Sequence, residues 1–173
     1  MLTSPFGNLF LALQQRITTV VPDIKWIDQD LGQLEDYKPG FRPAVLWPCV
    51  LIDFDEWEWE ENNNGVQRGT GFIVLRLGLP PFTASNQATP LPQKESALQY
   101  YEIEKKLHAA LHGWSDGVFD RMLRRTSLTE KRGEDNLRVR VLKYISSVTD
   151  TGAMPAKQRV PRPEPVVGSD MVE

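Results

Sequence analysis

The chain has 173 residues, 40% of them hydrophobic, with a formal net charge of −3 and an isoelectric point near 5.5. That length supplies one globular domain with a proper core and too little for two, and the charge balance argues against a dedicated nucleic-acid binder. The one cysteine, Cys49, excludes an intrachain disulfide, and no apolar run approaches the roughly eighteen residues that span a bilayer, so a soluble protein with no membrane partner, made in the cytoplasm, is expected.

Ser4-Pro5 has the form of an N-cap followed by proline at the first helical position. Phe6, Leu9, Phe10, Leu13 and Ile17 then recur at helical spacing as far as Val21-Pro22, which predicts an amphipathic helix. Asp23 to Asp28 alternates around Ile24 and Trp26 and predicts a short edge strand; Gln29 to Gly40 reads as a connecting loop.

Two long apolar runs follow, Ala44 to Phe54 and Phe72 to Leu79, separated by Glu60-Glu61-Asn62-Asn63-Asn64-Gly65, where Asn and Gly tolerate the positive φ of a reversing turn. This is a β-hairpin. In its first run both alternating sets are apolar, so neither face suits bulk water: one needs helices and the other a second chain. Past Phe54 the pattern changes. Trp57 and Trp59 fall on one face of the strand and Glu56, Glu58 and Glu60 on the other, which reads equally as a solvated edge whose tryptophans cap the core or as an intersubunit contact.

Pro80-Pro81 ends the second strand, and Phe82 to Pro92 is a polar, proline-containing loop. Gln93 to His112 predicts a second helix with a stripe of Tyr100, Ile103, Leu107, Ala110 and Leu111, extended by Trp114, and with Gly113 at C′. Val118 to Leu128 and Asn136 to Val148 predict a second hairpin, its last strand carrying Leu137, Val139 and Val141 inward and Arg138 and Arg140 outward, across a polar turn at Thr129 to Asp135. From Thr151 onward periodicity ends, and Pro155, Pro161, Pro163 and Pro165 make an extended or disordered tail the default. The expectation is an α+β domain over 1–150 and a tail over 151–173. Its mainly antiparallel sheet of four to five strands is built from two hairpins, with two helices on one face in the order α-(β)-β-β-α-β-β.

Catalytic raw material is scarce, with two histidines and one cysteine. Glu104, His108 and His112 fall at successive helical turns and are the one set with metal-ligand character. Turns are about 6 Å apart, so one ion could take two of them but hardly three, and an ordinary polar flank is the simpler account. The glycines at 65, 69 and 71 follow a hairpin turn rather than opening a helix, so they carry no phosphate-binding signal. No enzyme activity, cofactor or metal is expected.

Charge, by contrast, is segregated. Asp53, Asp55, Glu56, Glu58, Glu60 and Glu61 are six acids with no base among them, whereas 121–143 carries a net +5 that includes Arg121, Arg124, Arg138 and Arg140. Two solvated faces would account for this, and so would basic strands that face a ring lumen through which DNA passes. So would a head-to-tail contact in which Asp55, Glu56, Trp57, Glu58 and Trp59 of one subunit meet those arginines of the next and close a ring.

Three stretches carry a family resemblance: Pro43-Ala44-Val45 leading into Val50 to Phe54 with Trp57 after it; Asn64-Gly65-Val66-Gln67-Arg68 to Leu77; and Leu123-Arg124-Arg125-Thr126 with Asp135-Asn136-Leu137. Over about residues 5–150 the chain resembles the tail-terminator, or tail-completion, proteins of tailed bacteriophages and prophages. It departs from them in Trp47-Pro48-Cys49 and in the proline-rich tail. The resemblance implies a non-enzymatic virion protein, commonly a hexameric ring, that caps the tail tube, joins it to the head-side connector or stopper protein, lets DNA pass through its lumen, and is assembled in the cytoplasm of the bacterial host. Two alternatives stay open: another neck component, such as a head-closure or adaptor protein, and a small metal-dependent enzyme using His108 and His112.

Overall fold

Ser4 caps the first helix through its side chain, which accepts from the Gly7 amide, and Pro5 occupies the first turn, where its missing N–H costs nothing. The computed structural model describes residues 2–35, 45–79, 84–132 and 138–155. In chain order the elements are α1 (Pro5–Val20), β1 (Trp26–Gln29), β2 (Cys49–Asn63), β3 (Val66–Leu79), α2 (Leu91–Leu111), β4 (Leu123–Arg132) and β5 (Arg138–Asp150). The strands form one five-stranded sheet in the order β1-β2-β3-β5-β4. Every neighbouring pair is antiparallel except β1 with β2, which is parallel, so the α+β expectation holds with a mixed sheet.

The two helices lie on one face of the sheet. Leu9, Leu13 and Ile17 of α1 and Tyr100, Leu107, Ala110 and Leu111 of α2 pack there with Val50 and Ile52 of β2, Ile73, Leu75, Leu77 and Leu79 of β3, and Leu142 and Tyr144 of β5. The opposite, outer face is closed at one end by the chain itself, where Leu34, Cys49, Leu51 and Val139 form a second cluster flanked by Val45 and Trp47. No second chain is needed there. Burial pushes the Cys49 thiol up to about 12, so it behaves as a small hydrophobe.

The β2–β3 hairpin dominates the sheet. It closes on a two-residue turn at Asn64 and Gly65, both at positive φ (48° and 76°), the combination that matches strand twist. Within β2 the pairing slips between Asp55 and Glu58, and Glu56 sits at φ 53°: a β-bulge. The extra residue changes the phase of the strand. Phe54 at an even position and Trp57 and Trp59 at odd positions therefore all reach the helix side, where Phe6 of α1 stacks on Phe54 and meets both indoles edge-on at 5.0 and 5.9 Å. The rings lie on Gly71 and Gly69 of β3, where any Cβ would collide with them, and the Trp57 indole N–H donates to the Phe72 carbonyl at 3.2 Å.

Three expectations are corrected. The fourth strand starts at Leu123 rather than Val118, because residues 113–122 form a turn instead: Gly113 donates to the Met122 carbonyl, and Met122 donates to that of Trp114. That turn buries Phe119 against Trp114 beneath the helices. The first strand of the hairpin begins at Cys49, after Trp47-Pro48, and not at Ala44. Arg138 and Arg140 do not point outward; they lie on the helix side of β5, and Val139 and Val141 lie on the outer side. The residues 36–44, 80–83, 133–137 and 156–173, with parts of the predicted loops, Leu137 and most of the proline-rich tail, lie outside the described residues.

A methyl group at Gly71 would lie 2.8 Å from the Trp57 Cα as well as against its ring, so relief requires the backbone to move. Gly71→Ala should cost about 1–3 kcal/mol, read as a lower denaturation midpoint with an unchanged denaturant slope. An unaltered midpoint would show that the bulge does not depend on this contact.

Candidate assembly interface

The helical trio singled out in the sequence is spent on packing. Glu104 on α2 takes a bidentate ion pair from Arg140 on β5, with Nε and Nη2 at 2.7 and 2.9 Å from its carboxylate oxygens, and Arg140 Nη1 donates to the Thr129 hydroxyl at 2.7 Å. Both side chains are largely buried, and the carboxylate raises the Arg140 pKa further. His108 reaches the Tyr144 hydroxyl at 3.4 Å, and His112 Nδ1 accepts the Arg124 backbone N–H at 3.1 Å. Burial, with help from the Arg124 charge and from His112, lowers the His108 pKa. Among the described residues no group of three His, Cys, Asp or Glu side chains could hold a metal ion.

Of the four arginines expected to face a neighbour, two are occupied within the chain. Arg140 is held by Glu104, and the Arg138 guanidinium lies 4.0 Å from the centre of the Tyr100 ring, a cation–π contact that ties the middle of α2 to the sheet. Arg121 is exposed and donates to the Gly113 carbonyl at 3.2 Å. Arg124, beside equally exposed Arg125, sits on β4, the last strand of the sheet.

The acidic stretch projects beyond the short first strand. β1 pairs with β2 only from Cys49 to Ile52, so from Asp53 to Asn63 no described strand lies on that side. Glu56, Glu58, Glu60 and Glu61 are exposed, and Asp55 reaches back across the outer face to Lys143 at 3.2 Å. Trp57 is half-buried under Phe6, and Trp59 keeps 38% of its surface exposed. The structure thus brings the acids and tryptophans together on one arm and leaves Arg121 and Arg124 at the far side of the sheet. Sequence reasoning missed the glycine floor under the tryptophans; its signal was the matching two-residue spacing of Gly69 and Gly71 with Trp57 and Trp59.

No protein-family model and no curated protein sequence matches the chain. Among solved structures, its fold is similar to that of a chain in the virion of a native gene transfer agent particle. The TM-score is 0.50 and the identity 12%, over 82% of this chain and 94% of that one.

Two outcomes follow from the buried polar contacts. Glu104→Gln leaves the Arg140 charge without its partner and should cost about 3 kcal/mol in urea unfolding, whereas replacing the pair with Leu and Met should recover most of that loss. For His108 the folded state resists protonation below its ordinary value of 6.5, so the unfolded chain takes up the proton first. Stability should therefore be complete above that pH and fall as pH drops below it. Melting temperatures from pH 7.5 to 5.5 should decline, and His108→Gln should flatten the decline; equal slopes would remove His108 as the cause.

Proposed function

We propose that this chain is a structural virion protein of a tailed phage or phage-derived particle, a tail terminator whose copies close a ring, commonly a hexamer, on the end of the tail tube. The observation that carries the reading is the correspondence of backbone over most of both chains with a component of a gene transfer agent virion. The family resemblance of the sequence supplies the finer role, with the tail tube protein on one side, the head-side connector or stopper on the other, and DNA passing through the lumen. The local chemistry supports a binding role, since Glu104, His108 and His112 are engaged in packing contacts. No helix among the described residues is long and apolar enough to cross a membrane.

In this reading the acidic arm of one subunit, with Asp55, Glu56, Trp57, Glu58 and Trp59, meets Arg121 and Arg124 of the next. Arg138 and Arg140 act indirectly, by fixing α2 on the sheet. Exposed ion pairs contribute only about 0–1 kcal/mol each and are screened by salt. Charge would therefore select the partner while Trp59, the more exposed of the two indoles, would contribute area.

The purified protein should give ring-shaped particles of uniform mass, alone or on addition of tail tubes, and should bind tube ends rather than isolated connectors. Glu58→Arg with Glu60→Arg should reduce assembly, as should Arg124→Glu with Arg125→Glu, and the four changes together should restore it. A monomer that ignores tube ends overturns the reading; binding to connectors alone transfers it to a head-closure protein.

A further inference from the structure

The segregated charges lie along the two open edges of a single sheet. On one side, β2 has no described neighbour along its outer edge from Asp53 to Asn63, because β1 ends at Gln29, the partner of Ile52. On the other, β4 has β5 as its only described neighbour and leaves the outer edge of 10 residues open. Both edges are of matching length, roughly 33 Å at the usual rise per residue. Open edges of that length invite pairing with another strand, and proteins protect them with charge or bulges. Here both devices are present, but the sign of the charge differs: acids on β2, and Arg124 and Arg125 on β4.

We propose that β4 of one copy adds to the free edge of β2 in the next, so that the sheet continues from subunit to subunit. The proposal deepens the ring reading and rests on it. Charge decides between the available pairings. Two β2 edges would set acids against acids and two β4 edges bases against bases, so both two-fold dimers are disfavoured and only the head-to-tail pairing is complementary.

Direction and offset agree. Three antiparallel steps separate β2 from β4, so β4 runs opposite to β2, and a neighbour with its sheet facing the same way presents β4 antiparallel to β2. Through the registers, Leu123 lies level with Asp55, by way of Ile145 and Phe72, and Arg132 lies near the level of Cys49. The free part of β2 is therefore about six residues further along, a stagger of roughly 20 Å across four strands spanning about 19 Å. That corresponds to a strand tilt of about 45°, at the upper end of what closed barrels adopt. The same stagger carries the incoming strand past the end of β1, leaving that pairing intact.

Backbone hydrogen exchange on the full chain reads this directly, by comparing the assembled particle with monomer held at low concentration or high salt. Amides in 53–63 and in 123–132 should both slow by roughly tenfold or more on assembly, while the exposed surface of α1 around Leu11 should not change. Assembly with either edge exchanging as in the monomer overturns the strand addition and leaves the ring standing. Failure to assemble, with or without tail tubes, overturns both.

Discussion

The bulge at Glu56 is the constraint on which the hairpin depends. A regular strand would send Trp57 and Trp59 to the side opposite Phe54, leaving two indoles in water and placing glutamates over the end of α1. One residue at φ 53° reverses this, and the price is a position that L-residues rarely occupy. The reward is a cluster in which Phe6, Phe54, Trp57 and Trp59 lie within 6.4 Å of one another in sequence of contact, on two glycines that admit the rings. The beginning of α1 thereby braces the outer strand of an arm in which β5 supports β3 as far as Gln67 but no described strand flanks β2.

Nearer the other end of the sheet, α2 docks using different chemistry. Its stripe is interrupted by Glu104, a carboxylate that would be costly to bury alone. Arg140 meets it with two parallel hydrogen bonds, while Arg138 covers the Tyr100 ring. These contacts fix where the helix sits along β5 more narrowly than apolar packing alone. Part of the positive charge counted in 121–143 is thus neutralised inside the subunit, and among the described side chains the exposed bases that remain are Arg121, Arg124 and Arg125.

Most of the architecture was legible in the sequence. Cap and proline marked the start of α1, Asn64-Gly65 marked the hairpin, and Gly113, at φ 79°, marked the end of α2. What misled was the assumption that an alternating strand has one inner face. In β5 both faces are covered at one end, so Val139 is buried on the outer side while Arg140 is buried on the helix side, and alternation cannot say which set meets the helices. The start of β4 was hidden because Val118, Phe119 and Met122 are as apolar as strand residues; their burial comes from a turn under Trp114. The acidic arm was visible as a composition, but its position at an edge depends on β1 being only 4 residues long, which spacing alone did not set.

The short β1 also separates two demands placed on β2. Its first four residues lie at the apolar centre of the sheet, where Val50 and Ile52 face the helices and Cys49 and Leu51 face Leu34 and Trp47; there an unpaired edge would leave buried backbone groups unsatisfied, and β1 supplies their partners. From Asp53 onward the side chains on the outer face become carboxylates, water reaches the backbone, and pairing is no longer obligatory within the subunit. The transition from covered to open edge coincides with the transition from apolar to acidic sequence. A strand whose edge opens where its sequence turns acidic carries charge at the place where an unprotected edge would pair indiscriminately with like copies.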